Sequence, residues 1–271
     1  MSFLTHDKND LTYLTSTLLE NKAISHGFST RLGGVSQGAF SSLNLRSACP
    51  DAPENVRENY RRICTALGTD PSGIVRSKQV HEDTVRHVIR GDAGLDAPRN
   101  YTADALVTNE PGLSLMVFSA DCIILLLHDP VTRSIGAVHA GWRGTALDLP
   151  AKTVREMGRL FGARPRDIRV AIGPGIGPCC FETHDDVPDA MCRAFGPKAQ
   201  RFIHPCGEKW SVDLKAMNGW RLYEAGVQQD TIDICPLCTA CNTDLFWSHR
   251  KTGDDRGVQG GLICLAPEGG L

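Results

Sequence analysis

One apolar stretch of the chain, residues 119–144, contains a cysteine and a histidine that could act together. It reads SADCIILLLHDPVTRSIGAVHAGWRG and carries Cys122 and His139 at the ends of two apolar runs. A thiolate and an imidazole at close range can hold a metal ion, or serve as a nucleophile and its base. Both residue types also occur in cores, where cysteine packs as a small apolar side chain and histidine is hydrogen-bonded. The spacing alone leaves both interpretations open.

The two apolar runs predict consecutive antiparallel strands joined by a turn at DPVT, residues 129–132. A loop centred between Pro130 and Val131 places Cys122 directly opposite His139. Opposed residues project from the same face of a sheet, with Cβ atoms about 5 Å apart. A one-residue slip would send one of the two side chains to the other face. The register of this hairpin therefore decides whether the two side chains can meet.

The elements around this hairpin alternate between helices and strands. Helical periodicity appears in PENVRENYRRICTALG, LDLPAKTVREMGRLFG, DVPDAMCRAFG and DLKAMNGWRLYEAG, and apolar strand patterns appear in DIRVAIGP and GGLICLAP. Several strand connections are too short for parallel crossovers. The sequence predicts the α/β class with largely antiparallel pairing. We expect a peripheral segment at 1–22 and one catalytic domain at 23–271.

Composition excludes several classes of partner. The 271 residues are 41% hydrophobic, and 29 Lys and Arg against 31 Asp and Glu give a net charge of -2. Such a balance offers no general field for a polyanion, so we expect no nucleic-acid partner, and no apolar run long enough to span a membrane is present. The eleven cysteines are an odd number and follow no secretory signal, which predicts reduced thiols and a cytoplasmic location. The oligomeric state stays open.

Six longer motifs resemble one known family. HGFSTRLGGVS, QVH, DALVTNEPGLSLMVFSADC, AVHAGWRGT, IGPGIGPCCFE and DLFWSHRKTGDDRGVQGGLICL, between Ala23 and Leu265, are similar to the bacterial laccase-domain family, also called multicopper polyphenol oxidase-like proteins or peptidoglycan editing factors. The resemblance implies a single domain of layered mixed sheets flanked by helices. It also implies a metal, usually zinc, held by His81, Cys122 and His139. This ligand set also admits copper, but the nine histidines contain no HxH pair, which argues against a coupled-copper centre.

The same resemblance implies purine nucleoside chemistry. The expected activity is phosphorolysis of adenosine, inosine and methylthioadenosine, together with adenosine deamination. Three protein ligands leave a zinc position open for water or substrate, which suits catalysis. Phosphate needs cationic contacts, and Arg46, Arg143 and Arg250 are the predicted ones, with Arg31 as a weaker fourth.

Two other functions remain open. One is a metal-free cysteine hydrolase or deamidase, in which Cys122 is the nucleophile and His139 its base. The other is direct editing of peptidoglycan precursors, which the family name suggests. The general acid or base is not identified, although Asp104 and Asp121 are polar candidates near the hairpin.

Further cysteines resemble half of a metal site without completing it. Cys235, Cys238 and Cys241 have CxxCxxC spacing, but the fourth cysteine followed by proline that a ferredoxin motif requires does not follow. Cys179 and Cys180 lie in a Gly-Pro-rich loop far away in sequence. The sequence favours packing roles for these cysteines.

Overall fold

The computed structural model describes residues 2–97 and 100–267. Parts of both predicted segments lie outside the described residues: residue 1 of the peripheral segment, and residues 98, 99 and 268–271 of the catalytic domain. The described α-helices are α1 Pro53–Leu67, α2 Trp142–Ala146, α3 Leu149–Phe161, α4 Asp186–Phe195, α5 Leu214–Glu224 and α6 His249–Thr252. None of the described helices combines the length and apolar composition needed to cross a membrane.

The strands form three sheets, two of them six-stranded. Their bounds are β1 Phe3–Lys8, β2 Leu11–Ser16, β3 Ile24–Ser29, β4 Ile74–Val75, β5 Val85–His87, β6 Ala105–Thr108, β7 Ser114–Ser119, β8 Ile123–Asp129, β9 Ser134–Ala140, β10 Arg169–Ile172, β11 Glu182–Thr183, β12 Ile203–Cys206, β13 Lys209–Val212, β14 Ile232–Ile234 and β15 Gln259–Leu265. The first large sheet has the order β1-β2-β3-β15-β7-β4 and the second β14-β10-β8-β9-β6-β5, while β11-β13-β12 form a small third sheet. Pairing is antiparallel except at β4–β7, β5–β6 and β10–β14. The prediction of largely antiparallel sheets is confirmed.

The two large sheets pack face to face between helices. Side chains of the inner faces, such as Phe28 and Val117 on the first sheet and Ile124 on the second, share one buried cluster. Apolar strands covered on both sides read as continuous hydrophobic runs, which explains the sequence of β8. Helix α1 covers the outer face of the first sheet, and α3, α4 and α5 cover that of the second. The α/β/β/α layering implied by the family resemblance is present.

Helix α1 shows how the local sequence determines where a helix begins, which face it buries and where it ends. Val56, Tyr60 and Ile63 recur at helical spacing and are buried on one stripe, as their periodicity predicts. Pro53 occupies the first turn, where its missing N–H costs nothing. Gly68 ends the helix with φ 68°, a left-handed conformation that glycine adopts without a Cβ clash. Each of these signals agrees with the prediction made from the sequence.

The N-terminal segment contributes strands to the first sheet. β1 is an edge strand, whereas β2 lies between β1 and β3 and buries Leu14 in the layer between the sheets. Leu19, just after β2, is also fully buried in that layer. Residues 3–19 are therefore packed onto the same core as the rest of the chain.

The register of the central hairpin differs from the prediction. His139 pairs with Ile124, not with Cys122, because the turn comprises the four residues 130–133 and is centred one position later. Asp129 causes this shift: its carboxylate accepts the N–H of Val131, and the following turn includes a residue with positive φ at 133. The pairing is displaced by two positions, an even number, so Cys122 and His139 stay on the same face.

Candidate metal centre

Three side chains from separate elements converge at the open end of the hairpin. Cys122 directly precedes β8, His139 lies near the end of β9, and His81 lies in the loop before β5. Their potential ligand atoms all lie within 4.8 Å of one another. The Cys122 Sγ is 3.8 Å from the His81 Nε2, and the two imidazole rings are edge to face with centroids 4.8 Å apart. His139 is buried, Cys122 is half-buried and His81 is exposed.

Asp104 positions both histidines. Its buried carboxylate accepts a 2.8 Å hydrogen bond from His139 Nδ1, so the other ring nitrogen, Nε2, is the one that could hold a metal. The same carboxylate accepts the backbone N–H groups of Val80, His81 and Glu82 at 3.0 to 3.1 Å. It thereby holds the loop in which His81 has φ 63°, an uncommon conformation for a residue other than glycine. One carboxylate thus orients one candidate ligand directly and the other through its backbone.

Gly141 leaves the space in which the three side chains meet. A Cβ atom at this position would lie 3.0 Å from both the Cys122 Sγ and the His81 Cδ2. Such contacts are tighter than side chains normally tolerate, so any larger residue would push the thiol and the ring apart. The glycine in HAGWRG is therefore explained by this close approach.

Asp121 fixes the turn that carries Cys122. It has φ 92°, and its carboxylate accepts hydrogen bonds from Thr239 Oγ1 at 2.6 Å, Ser248 Oγ at 3.1 Å and the Arg250 N–H at 2.7 Å. These donors come from the loop after β14 and from the start of α6. The turn before β8 is therefore tied to distant segments by a buried carboxylate.

The electrostatics of the group favour a thiolate beside a charged imidazole. Burial disfavours ionisation of the Cys122 thiol, but His139 and His81 outweigh it and lower the pKa of Cys122. Burial likewise opposes protonation of His139, but Cys122 and Asp104 outweigh it and raise the pKa of His139. The group can therefore present a thiolate at neutral pH, the form that binds metals.

The donor set fits a zinc ion. Two imidazole nitrogens and one thiolate match its borderline-soft preference and also admit copper. The hydrogen bond between His139 and Asp104 is the outer contact that metal-bound histidines normally make. His81, Cys122 and His139 are a possible metal-binding group, and its geometry does not distinguish between metals.

A cavity of about 380 Å³ opens directly onto this group. Its volume lies in the range of small-molecule sites. His81, Cys122 and His139 line it together with Arg46 and Arg256. One of the predicted phosphate contacts, Arg46, is therefore next to the candidate metal centre.

Arg256 was not predicted from the sequence, although it lies in the quoted GDDRGVQ motif. Its Nε is buried without a hydrogen-bond partner. Burial lowers the pKa of Arg256, and the nearby charge of Arg46 lowers it further. Asp121 and Asp254 offset part of this repulsion, and two guanidinium groups that line one cavity can bind an anion.

The other predicted arginines lie elsewhere. Arg250 lines a smaller cavity of about 140 Å³ that also touches Cys122, and its Nη1 donates to the carbonyls of Cys180 and Glu182 at 3.0 Å. Arg143 is exposed and stacks on the Trp142 ring, 4.2 Å from its centroid. Neither residue lines the larger cavity.

Arg31, the weaker fourth candidate, makes contacts within the fold. It donates to the carbonyls of Thr243 and Ser41 and stacks on the Trp247 ring at 4.0 Å. It does not line the larger cavity either.

A second group of cysteines also converges, although the sequence favoured packing roles for them. Four sulphur atoms lie within 4.8 Å of one another, those of Cys179, Cys180, Cys238 and Cys241. The sequence signal was split between two loops about sixty residues apart, so the CxxC of Cys238 and Cys241 had no second pair nearby in sequence to complete it.

Comparisons with known proteins agree on one family. The family model described as "Multi-copper polyphenol oxidoreductase laccase" matches residues 25–266. The purine nucleoside phosphorylase YlmD of Bacillus subtilis (strain 168) is 34% identical over 250 residues, which cover 90% of this chain and 88% of that protein. A purine nucleoside phosphorylase of Deinococcus radiodurans is 37% identical over 246 residues, 90% of each chain.

A solved structure shows the same fold. The crystal structure of YlmD from Geobacillus stearothermophilus superimposes with a TM-score of 0.91 at 30% identity, covering 98% of this chain and 99% of that one. The residues that the family model matches include His81, Cys122 and His139 and all six described helices. The chain therefore belongs to the multi-copper polyphenol oxidoreductase laccase family, as its motifs indicate.

Proposed function

We propose that this chain is a zinc-dependent purine nucleoside phosphorylase that acts on adenosine, inosine and methylthioadenosine and also deaminates adenosine. His81, Cys122 and His139 are the proposed zinc ligands. The observation that carries the proposal is the three-ligand group beside a cavity containing Arg46 and Arg256. The names of the relatives support the reaction class.

Phosphorolysis exchanges one bond at the sugar for another. A phosphate oxygen attacks C1′ of the nucleoside, the C1′–N9 bond breaks with its electron pair passing to the purine, and the base leaves after taking a proton. The products are the free base and the sugar 1-phosphate, which is ribose 1-phosphate from adenosine or inosine and 5-methylthioribose 1-phosphate from methylthioadenosine. When bound, zinc supplies a positive charge that can orient the substrate or stabilise developing negative charge.

Arg46 and Arg256 are the proposed phosphate contacts. Guanidinium groups bind phosphate through paired hydrogen bonds, and an anion between them would relieve their mutual repulsion. Arg46 Nη1 already donates to the Asp254 carbonyl at 3.0 Å, which fixes its side chain toward the cavity wall. Arg143 and Arg250 remain predicted contacts with weaker geometric support.

The decisive assay incubates purified protein with adenosine, inosine or methylthioadenosine, with and without phosphate. We expect phosphate-dependent release of free base and the corresponding sugar 1-phosphate, and slow conversion of adenosine to inosine. Chelation should abolish both activities, and added zinc should restore them. Base release that does not depend on phosphate, or no release at all, would contradict the proposal.

Kinetics with varied phosphate test the anion site. Arg46→Ala and Arg256→Ala should each raise the KM for phosphate about tenfold, because each removes a charge-assisted contact of roughly 1.4 kcal/mol. Arg143→Ala and Arg250→Ala test the remaining predicted contacts. Arg193→Ala, an exposed residue on α4, is the matched control and should leave this KM unchanged. Equal KM values for all five proteins would exclude the anion site.

One observation favours a second candidate function. Asp104, His139 and Cys122 are arranged as acid, base and nucleophile, which is the geometry of a cysteine hydrolase or deamidase. His81 has no role in such a triad. If no metal is bound at Cys122 and His139, and if His81→Ala retains hydrolase activity, this candidate replaces the phosphorylase. An assay with muropeptide precursors separates direct peptidoglycan-precursor editing from both.

We also propose a cytoplasmic location and a single catalytic domain at 23–271 that follows a short N-terminal segment. All eleven cysteines are unpaired in the structure, which supports a reducing compartment. Fractionation of cells with an antibody to the chain tests the location.

A further inference from the structure

Four cysteines outside the candidate metal centre form a compact sulphur group. Cys179 and Cys180 lie in the Gly-Pro-rich loop after β10, and Cys238 and Cys241 lie in the loop after β14. The Sγ of Cys241 is 3.5 Å from that of Cys179 and 3.4 Å from that of Cys180, and all four sulphurs lie within 4.8 Å of one another. Their convergence comes from the fold and joins segments about sixty residues apart.

The spacing of the sulphurs fits one tetrahedral ion. With a zinc–sulphur bond of about 2.3 Å, the sulphurs of a tetrahedral site lie about 3.8 Å apart. Two of the sulphur separations, 3.5 and 3.4 Å, are slightly shorter than this value and all four sulphurs lie within 4.8 Å, so a single ion needs only small shifts of the side chains. An iron–sulphur cluster must accommodate several metal atoms between its cysteines and would hold them farther apart. A group of four thiolates with no open position is typical of structural zinc.

The backbone of the two loops is already arranged to hold this geometry. Gly175 pairs with Cys238, and the Gly177 N–H donates to the Cys238 Sγ at 3.1 Å. A Cβ at Gly177 would lie 3.2 Å from both the Cys179 Sγ and the Cys238 Cβ. The glycine therefore allows the two loops to bring their sulphurs together, and its N–H stabilises charge on one of them.

Two cations lie beside the group. Lys215 is buried, and its Nζ donates to the carbonyls of Cys235 at 2.7 Å and Leu237 at 3.0 Å, at the start of the second loop. Arg250 Nη1 donates to the carbonyl of Cys180 in the first loop. Zinc bound by four thiolates carries a net charge of about −2, and nearby cations offset that charge.

We propose that Cys179, Cys180, Cys238 and Cys241 bind one zinc ion as a closed structural site. The ion joins the two loops behind the turn that carries Cys122. Thr239, between two of the cysteines, donates to the Asp121 carboxylate, and the Ile176 N–H donates to the Asp121 carbonyl. The site would thereby stabilise the support of the candidate metal centre, and it does not depend on which reaction that centre performs.

Metal analysis of variants tests this proposal. The triple variant His81→Ala, Cys122→Ala, His139→Ala removes the first ligand set, and we expect it to retain about one zinc per chain after purification with a reductant. Cobalt substitution of this variant should give an intense thiolate-to-metal absorption band. Adding Cys238→Ser and Cys241→Ser should remove both the zinc and the band, whereas adding Cys206→Ser, an exposed control, should not.

A measurement on the unaltered protein keeps the test independent of variant folding. Cys179, Cys241 and Cys206 are all exposed, but their surroundings differ, so the alkylation rate of each thiol is compared before and after a chelator is added. Zinc binding predicts that the chelator speeds alkylation of Cys179 and Cys241 on the order of tenfold and leaves that of Cys206 unchanged. Alkylation of Cys179 and Cys241 that the chelator does not change, a disulfide found by mass mapping, or bound iron in place of zinc would overturn the proposal.

Discussion

The two sulphur-containing groups differ in how many ligands they offer and in what lies beside them. The first combines one thiol with two imidazoles and opens onto a cavity of about 380 Å³ with two arginines. The second has four thiols, is joined by backbone contacts and has cations that bind loop carbonyls. An open position suits chemistry on a substrate, whereas a filled tetrahedron suits stability. The number of ligands and the surroundings of each group thus favour a different role for each.

The largest expected contrast comes from removing one sulphur of each group. Cys122→Ser should lower kcat/KM by about 10³-fold or more, because a catalytic metal contributes several kcal/mol to transition-state stabilisation. Cys238→Ser should leave kcat within a few-fold but lower Tm by about 10 °C, since loss of a structural metal removes several kcal/mol of folding free energy. Phosphorolysis assays and thermal melts of both variants measure the two effects.

The opposite result would reverse the assignment of roles. If Cys122→Ser lowers Tm strongly while Cys238→Ser abolishes turnover, the four-cysteine group would be the reactive one. Cys206→Ser, at an exposed position, should change neither quantity.

Asp104→Asn tests the carboxylate that distinguishes the first group. An asparagine cannot accept from His139 and three backbone amides at once, because its NH₂ group is a donor. We expect about 10- to 100-fold weaker zinc binding at the first group, in line with losses of other outer contacts of metal ligands. Competition with a chromophoric chelator measures the affinity.

The control is a second buried carboxylate. Asp233 in β14 accepts hydrogen bonds from the hydroxyls of Ser2 and Ser16. Asp233→Asn should lower stability without changing zinc affinity at either group. Equal zinc affinities for Asp104→Asn and the wild type would show that the histidines are held in place without this carboxylate.

Gly141→Ala tests the packing of the first group. The added methyl would approach the Cys122 Sγ and the His81 Cδ2 at 3.0 Å, so the thiol and ring must separate. We expect roughly tenfold lower kcat/KM, which corresponds to about 1.4 kcal/mol of lost alignment. Gly91→Ala is the control, because nothing lies within 4 Å of its added Cβ. Activity equal to that of the control would show that the site tolerates a wider spacing.

The sequence predicted the first group better than the second for a physical reason. Cys122 and His139 lie in one hairpin, and the period of two along a strand kept them on one face although the turn was misplaced. His81 was identified only by the family resemblance, because the loop that carries it is positioned by Asp104 through long-range contacts. The layered sheets were likewise predictable from continuous apolar runs and short connections.

The second group and Arg256 depend on contacts that no local pattern encodes. Cys179 and Cys180 meet Cys238 and Cys241 only because β10 and β14 pair in parallel and bring their following loops together. Arg256 reaches the cavity from the segment before β15, and its unpartnered Nε is visible only in the folded chain. Such residues are found from tertiary structure because their spacing in sequence carries no periodic signal.

The smallest expected effect comes from the hydrogen bond between Thr239 and Asp121, which links the loop of the second group to the turn that carries Cys122. Thr239→Val removes the 2.6 Å bond to Asp121 while keeping side-chain volume, and Asp121 still accepts from Ser248 and the Arg250 backbone. We expect unfolding free energy to fall by about 1 to 2 kcal/mol and kcat to fall a few-fold, with unchanged zinc at both groups. Urea denaturation, metal analysis and initial rates measure the three quantities.

The control is Thr153→Val, which removes a buried hydrogen bond to the Leu149 carbonyl in α3 and should lower the unfolding free energy by a similar amount without changing kcat. If Thr239→Val also leaves kcat unchanged, the loops behind Cys122 stabilise the fold without influencing its reactivity, and the two groups act independently.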